Sequence, residues 1–149
     1  MRFRTRIALA LAAVPALLAL ATAPASAAGG HYDLTGWEGD IAGAWARGEI
    51  WQASDGRWHL NGTLTDTGNN DGKGAAFRIE AWYADGGIRY EEVWNTKGYG
   101  ANVAIGEFNF ASSLRVLYLQ ECILVRKADG SIHVGYCSGS RTVWSTVPN

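Results

Sequence analysis

The sequence predicts an all-β protein, an antiparallel sandwich of roughly seven or eight strands, on three observations. Asp-Gly pairs recur at Asp55-Gly56, Asp85-Gly86 and Asp129-Gly130, and such pairs between alternating apolar residues are strong hairpin signals. The segments around them are short and rich in β-branched and aromatic residues, with almost no 3.6-residue periodicity. The 2 cysteines, Cys122 and Cys137, bracket the last of these turns. A small closed barrel is the alternative arrangement of the same strands.

The N-terminus stands apart from that fold. Arg2, Arg4 and Arg6 precede an apolar run from Ile7 to Ala21, and Ala25-Ser26-Ala27 offers the small residues of a cleavage site, which together read as a secretory signal. Residues 1–27 are expected to be removed, leaving 28–149 as one domain. The run is shorter than the roughly 20 residues of a membrane span, and Pro15 interrupts it. A secreted, extracellular product is expected, without membrane association after cleavage.

Composition narrows the partners. Removing the 3 leader arginines from 13 Lys and Arg leaves 10 against 14 Asp and Glu, a mature net charge near −4. That sign argues against nucleic acid or any other polyanion. All 19 glycines follow the leader, as do all 7 tryptophans, so the chain is turn-rich yet has enough large apolar side chains for a core. Disorder and fibrous repeats are both excluded.

Along the mature chain, Gly29–Gly39 reads as a loose lead-in, and Asp40–Arg47 as one helical turn at most, because Gly43 and Gly48 oppose a longer helix. A two-residue loop at Asp55-Gly56 sets Trp51 opposite Leu60 and Ala53 opposite Trp58, leaving Gln52, His59 and Asn61 on the other face. The stretch Thr67–Gly74 is the longest run of turn formers and is expected to be the most mobile loop. A two-residue loop at Asp85-Gly86 sets Phe77, Ile79, Ala81 and Tyr83 opposite Trp94, Glu92, Tyr90 and Ile88, a face apolar except for Glu92. Val103–Phe110, Leu114–Val116 and Arg141–Val147 supply further strands.

The turn at Asp129-Gly130, also read as a two-residue loop, sets Ile123 opposite Tyr136, Val125 opposite Val134 and Lys127 opposite Ile132. The same register places Cys122 opposite Cys137, so apolar pattern and cysteine pairing agree. A three-residue loop would instead set Val125 against His133, a poorer match. In an exported chain these cysteines form a disulfide. The two-residue loop makes them a hydrogen-bonded pair with a Cα separation near 5.5 Å.

Chemical motifs are sparse. His31, His59 and His133 lie far apart, without zinc-ligand spacing. Asp66–Gly74 is composed like a calcium loop, but the sixth residue from Asp66 is Asp71, where that motif needs glycine. No metal and no cofactor are assigned. No Gly-x-Ser-x-Gly elbow or phosphate-cradling loop occurs.

One constellation remains. The second hairpin exposes Arg78, Glu80 and Trp82 beside Arg89 and Glu91, with Trp82 across from Arg89 and Glu80 across from Glu91. The tryptophan suits stacking on a sugar ring, and the charged neighbours suit its hydroxyls. These five are the candidate ligand-binding residues. Close carboxylates would alternatively serve a retaining glycosidase.

Short features along the chain also carry a resemblance. The leader ending Ala25-Ser26-Ala27, the run Gly62-Thr63-Leu64-Thr65-Asp66-Thr67, and Glu121-Cys122 with Tyr136-Cys137-Ser138-Gly139 resemble small secreted proteins of actinobacteria, the uncharacterised single-domain β-rich members of those secretomes. The resemblance implies secretion and a β-sandwich and carries no catalytic residue across. The expected function is non-catalytic recognition of an extracellular glycan or protein. A small secreted glycan hydrolase and a secreted toxin or inhibitor are the alternatives.

Overall fold

The structure, a computed structural model, describes residues 29–69 and 71–146; residues 1–28, with the expected signal, Asn70 and the last three residues lie outside that range. Nine strands follow one another: β1 (Gly29–Asp33), β2 (Ala44–Gln52), β3 (Trp58–Asp66), β4 (Gly74–Tyr83), β5 (Ile88–Asn95), β6 (Asn102–Phe110), β7 (Leu114–Arg126), β8 (Ile132–Cys137) and β9 (Arg141–Ser145). Two antiparallel sheets result, one ordered β1-β2-β3-β6 and the other β5-β4-β7-β8, with β9 also on β7. The sheets do not close into a barrel, so the sandwich stands. The expected lead-in supplies β1, which pairs Gly29 with Trp51 and Asp33 with Arg47. The expected helical turn is the start of β2.

The core lies between the sheets. Leu60 and Leu64 of β3, Ile105 and Phe110 of β6, Phe77 and Ile79 of β4, and Leu117 and Leu119 of β7 are almost wholly removed from water. Tyr32 stacks on Phe77 with ring centroids 5.8 Å apart, and its hydroxyl donates to the Asn61 carbonyl at 3.0 Å. That hydroxyl sits over the facing pair Gly48 and Gly62. A Cβ at Gly62 would lie 2.5 Å from the Tyr32 oxygen and 2.2 Å from the Arg47 carbonyl oxygen, so no larger residue fits.

Strand β7 organises the second sheet. Its first half pairs with β9 and its second half with β8, and the segment between those two strands is tied down by Ser138. The Ser138 N–H donates to the Glu121 carbonyl at 3.0 Å, its Oγ donates to the Gly39 carbonyl at 2.7 Å, and Gln120 Nε2 donates to its carbonyl at 2.5 Å.

All three Asp-Gly hairpins turn through three residues rather than two. Ala53 N–H donates to the Arg57 carbonyl, Tyr83 N–H to that of Gly87 and Lys127 N–H to that of Ser131. Each glycine takes a left-handed conformation, with φ of 81° at Gly56 and 84° at both Gly86 and Gly130, and each aspartate accepts the N–H two residues on. This is a type I turn closed by a left-handed glycine.

The extra loop residue shifts both of the first two registers by one. Leu60 faces Ile50 and Trp58 faces Gln52, while Trp51 faces His59, against which it stacks at 5.2 Å. Phe77 faces Val93 rather than Trp94. In the third hairpin Val125 does face His133 and Arg126 faces Ile132, but a bulge between Ile123 and Leu124 restores the expected pairing at Ile123–Tyr136 and Cys122–Cys137. The expected pairs Val125–Val134 and Lys127–Ile132 do not form. The disulfide is present, and its Cα separation of 4.0 Å belongs to a narrow, non-hydrogen-bonded pair rather than a hydrogen-bonded one.

Candidate functional site

Register decides which side chains share a face, and the one-residue shift divides the expected constellation. Arg78, Glu80 and Trp82 point away from the core on β4. Their neighbours on β5 are Glu92, Tyr90 and Ile88, and on β7 they are Gln120, Tyr118 and Val116. Arg89 and Glu91 occupy the opposite face of β5, across from Ala81 and Ile79. Glu80 and Glu91 therefore do not face each other, and Trp82 does not face Arg89.

Arg89 and Glu91 instead close the open side of the sandwich. Arg89 Nε donates to Glu91 Oε1 at 2.7 Å, and Arg89 Nη1 donates to the Asn109 carbonyl of β6 at 2.7 Å. The guanidinium lies 5.2 Å from the Phe110 ring centroid. Burial alone would lower the Arg89 pKa; the hydrogen bond and charge of Glu91 outweigh it and hold the guanidinium more firmly protonated.

The outward face is a continuous polar and aromatic surface around a depression of about 320 Å³, lined by Arg78, Glu80, Tyr90, Glu92, Tyr118 and Gln120 among others. Arg78 Nε donates to Glu92 Oε1 at 2.5 Å, and Trp94 Nε1 donates to Glu92 Oε2 at 3.0 Å. Trp82 Nε1 donates to Glu80 Oε1 at 2.5 Å, and the Tyr90 hydroxyl reaches the same oxygen at 3.4 Å. Trp82 also meets the edge of Tyr118 at 6.1 Å. The two carboxylates thus fix the aromatic rings by their polar edges, while Tyr90, Trp82 and Trp94 remain 66%, 43% and 42% exposed. Three large aromatics are held with their ring faces open to solvent.

Tyr90 and Trp94 were expected in the core, and their place on this face is a direct consequence of the register shift. Glu92, Tyr118 and Gln120 join them. The signal that could have found them is the residue before each Asp-Gly pair, which becomes the first residue of a three-residue loop.

A larger cleft of about 480 Å³ opens between β1 and β9, with Trp37, Trp58 and Trp144 in its walls. Its rings are engaged with the protein itself: Trp58 and Trp144 lie 4.0 Å apart, and the Arg141 guanidinium covers Trp37 at 3.4 Å. Asp33 on its rim accepts the Thr35 N–H and Trp45 Nε1, each at 3.0 Å, and the Thr35 N–H holds its carboxyl below the usual range. The cleft is a sheet junction whose rings are largely engaged with one another, although Trp144 Nε1 is buried without a hydrogen-bond partner among the described residues.

Glu121 is the other acid that stands out. It points into the core, is fully buried, and accepts the Ile41 N–H at 3.0 Å and the Ala46 N–H at 2.5 Å. Burial pushes its pKa up to about 7 against those two bonds, with Asp40 adding to the rise. Sealed beneath the β1–β2 connection, it clamps that segment to β7 and meets no solvent.

Among the described residues no group of three or more His, Cys, Asp or Glu converges, and no helix is long and apolar enough to cross a membrane. No known protein family matches the chain, and no curated protein aligns with it.

Proposed function

We propose that the protein is a secreted, non-catalytic carbohydrate-recognition domain that binds through the outward face of the five-stranded sheet. The observation that carries this reading is the juxtaposition of exposed Trp82, Tyr90 and Trp94 with Arg78, Glu80, Glu92 and Gln120 on one pleated surface. Aromatic faces stack on the C–H faces of sugar rings, and carboxylates, amide and guanidinium exchange hydrogen bonds with hydroxyls. Arg78 is matched by Glu92, which leaves Glu80 as surplus negative charge. A neutral sugar suits that balance; an acidic one would be repelled. The disulfide and the leader motif both fit an extracellular setting.

Affinity electrophoresis through gels containing soluble neutral polysaccharides, followed by calorimetry on the retarding polymer, tests the reading. Trp94→Ala is expected to weaken binding about tenfold, roughly 1.4 kcal/mol, with the melting temperature nearly unchanged. Arg89→Ala is expected to lower stability and leave affinity intact. Failure of every neutral polysaccharide to retard the protein, or full binding by Trp94→Ala and Trp82→Ala, would refute the proposal.

A further inference from the structure

The segment joining β3 to β4 brings two carboxylates to one place. Asp66 ends β3 and is only 2% exposed. Its Oδ1 accepts the Gly68 N–H at 3.0 Å, while its Oδ2 is buried and has no hydrogen-bond partner among the described residues. Asp71 comes in from the other side of the same loop. A Cβ on Gly68 would lie 3.3 Å from Asp66 Oδ1, 3.3 Å from Asp71 Oδ2 and 3.4 Å from Asp71 Oδ1, so the two acids converge over that glycine.

This arrangement is unfavourable as it stands. A buried carboxylate oxygen without a donor costs free energy, and a second negative charge beside it adds to the cost. Burial raises the Asp66 pKa, the Gly68 N–H eases the rise and the charge of Asp71 reinforces it. Lys73 Nζ lies 3.8 Å from Asp71 Oδ2, but both side chains are about 40% exposed, and a solvated pair of this kind is weak. It does not reach the orphan oxygen of Asp66.

We propose that Asp66 and Asp71 form a calcium site, both carboxylates serving as anionic ligands while water completes the oxygen shell. Calcium accepts carboxylates and carbonyls in flexible geometry, so the missing motif glycine at position 71 is no obstacle to a site built on two acids. With only two charged ligands, the affinity belongs to the weak extracellular class, of order 1 mM. The site lies apart from the aromatic face and does not depend on the carbohydrate reading.

The test is thermal melting of the intact, disulfide-bonded protein in EDTA and in 10 mM calcium chloride. The wild type is expected to melt about 5 °C higher with calcium, and magnesium at the same concentration is expected to give a smaller rise. Asp71→Asn and Asp66→Asn should each abolish the calcium response. In EDTA, Asp66→Asn should melt above the wild type, because the unpaired buried charge is gone. Identical wild-type melting in EDTA and calcium would overturn the site, as would a calcium response that survives Asp71→Asn. The Asp71 side chain is about 40% exposed and its replacement is expected to leave the fold intact, so that variant decides the matter if Asp66→Asn fails to fold.

Discussion

Glu121 makes the stability of this fold depend on pH in the direction opposite to most carboxylates. Its carboxyl titrates near 4.5 in the unfolded chain and at about 7 in the folded one, because burial outweighs the two N–H bonds from Ala46 and Ile41. The folded state therefore holds a proton that the unfolded state releases between those values. Stability from this group is fully present below pH 4.5 and is lost as pH rises through 7. The two values bound the loss at about 3 kcal/mol. Glu121→Gln keeps the shape and cannot titrate. It leaves one backbone N–H facing an amide N–H₂, a pH-independent penalty of about 1–3 kcal/mol. Urea unfolding of both proteins from pH 4.5 to 8, with the disulfide intact, isolates the group as the wild-type minus variant difference, which is expected to fall with rising pH. A difference that stays flat would refute the reasoning, showing that the two backbone donors hold Glu121 ionised throughout.

Three further outcomes follow from the geometry. The double variant Cys122→Ser, Cys137→Ser should fold and lose about 3 kcal/mol in urea unfolding, since the bridge spans 15 residues. Gly130→Ala should lose about 1 kcal/mol, read from its denaturation midpoint. A Cβ there meets nothing within 4 Å, so the cost is that of forcing a left-handed φ of 84° on alanine. Val93→Asp should unfold the protein or abolish its soluble expression, because Val93 packs on the core opposite Phe77, whereas Trp94→Asp should fold. The reverse pattern would restore the two-residue hairpin.

The fold was legible because strand existence depends on features that survive a small error. Alternation, turn residues and the cysteine pair identify β2 to β9, with Val103–Phe110 expected for β6, whether a loop holds two residues or three. The sequence signal for β1 was weaker, since Gly29 and Gly30 are poor strand formers, and the strand is secured by its ladder to Arg47–Trp51. The cysteines met for a reason the sequence does not display. The three-residue loop displaces the register by one, and the bulge between Ile123 and Leu124 displaces it back. Gly135 stands at that bulge, where a Cβ would lie 2.7 Å from a Val125 methyl group.

The site was less legible because it is a property of a face, and a face changes completely with a one-residue slip. Arg78, Glu80 and Trp82 share β4 and keep their common side under any register, so a reading based on one strand's own alternation found them. Arg89 and Glu91 were assigned through the hairpin, and there the slip exchanged them for Tyr90 and Glu92. The exchange is not neutral in chemistry. It removes an acid–acid pair suited to glycosidic cleavage and installs carboxylates that each orient a tryptophan ring, at Glu80–Trp82 and Glu92–Trp94. Under the proposed reading, acids occupied in holding aromatic platforms serve to grip a sugar rather than to cut one, and the difference rests on whether the main chain turns at Asp85-Gly86 or at Ala84-Asp85-Gly86.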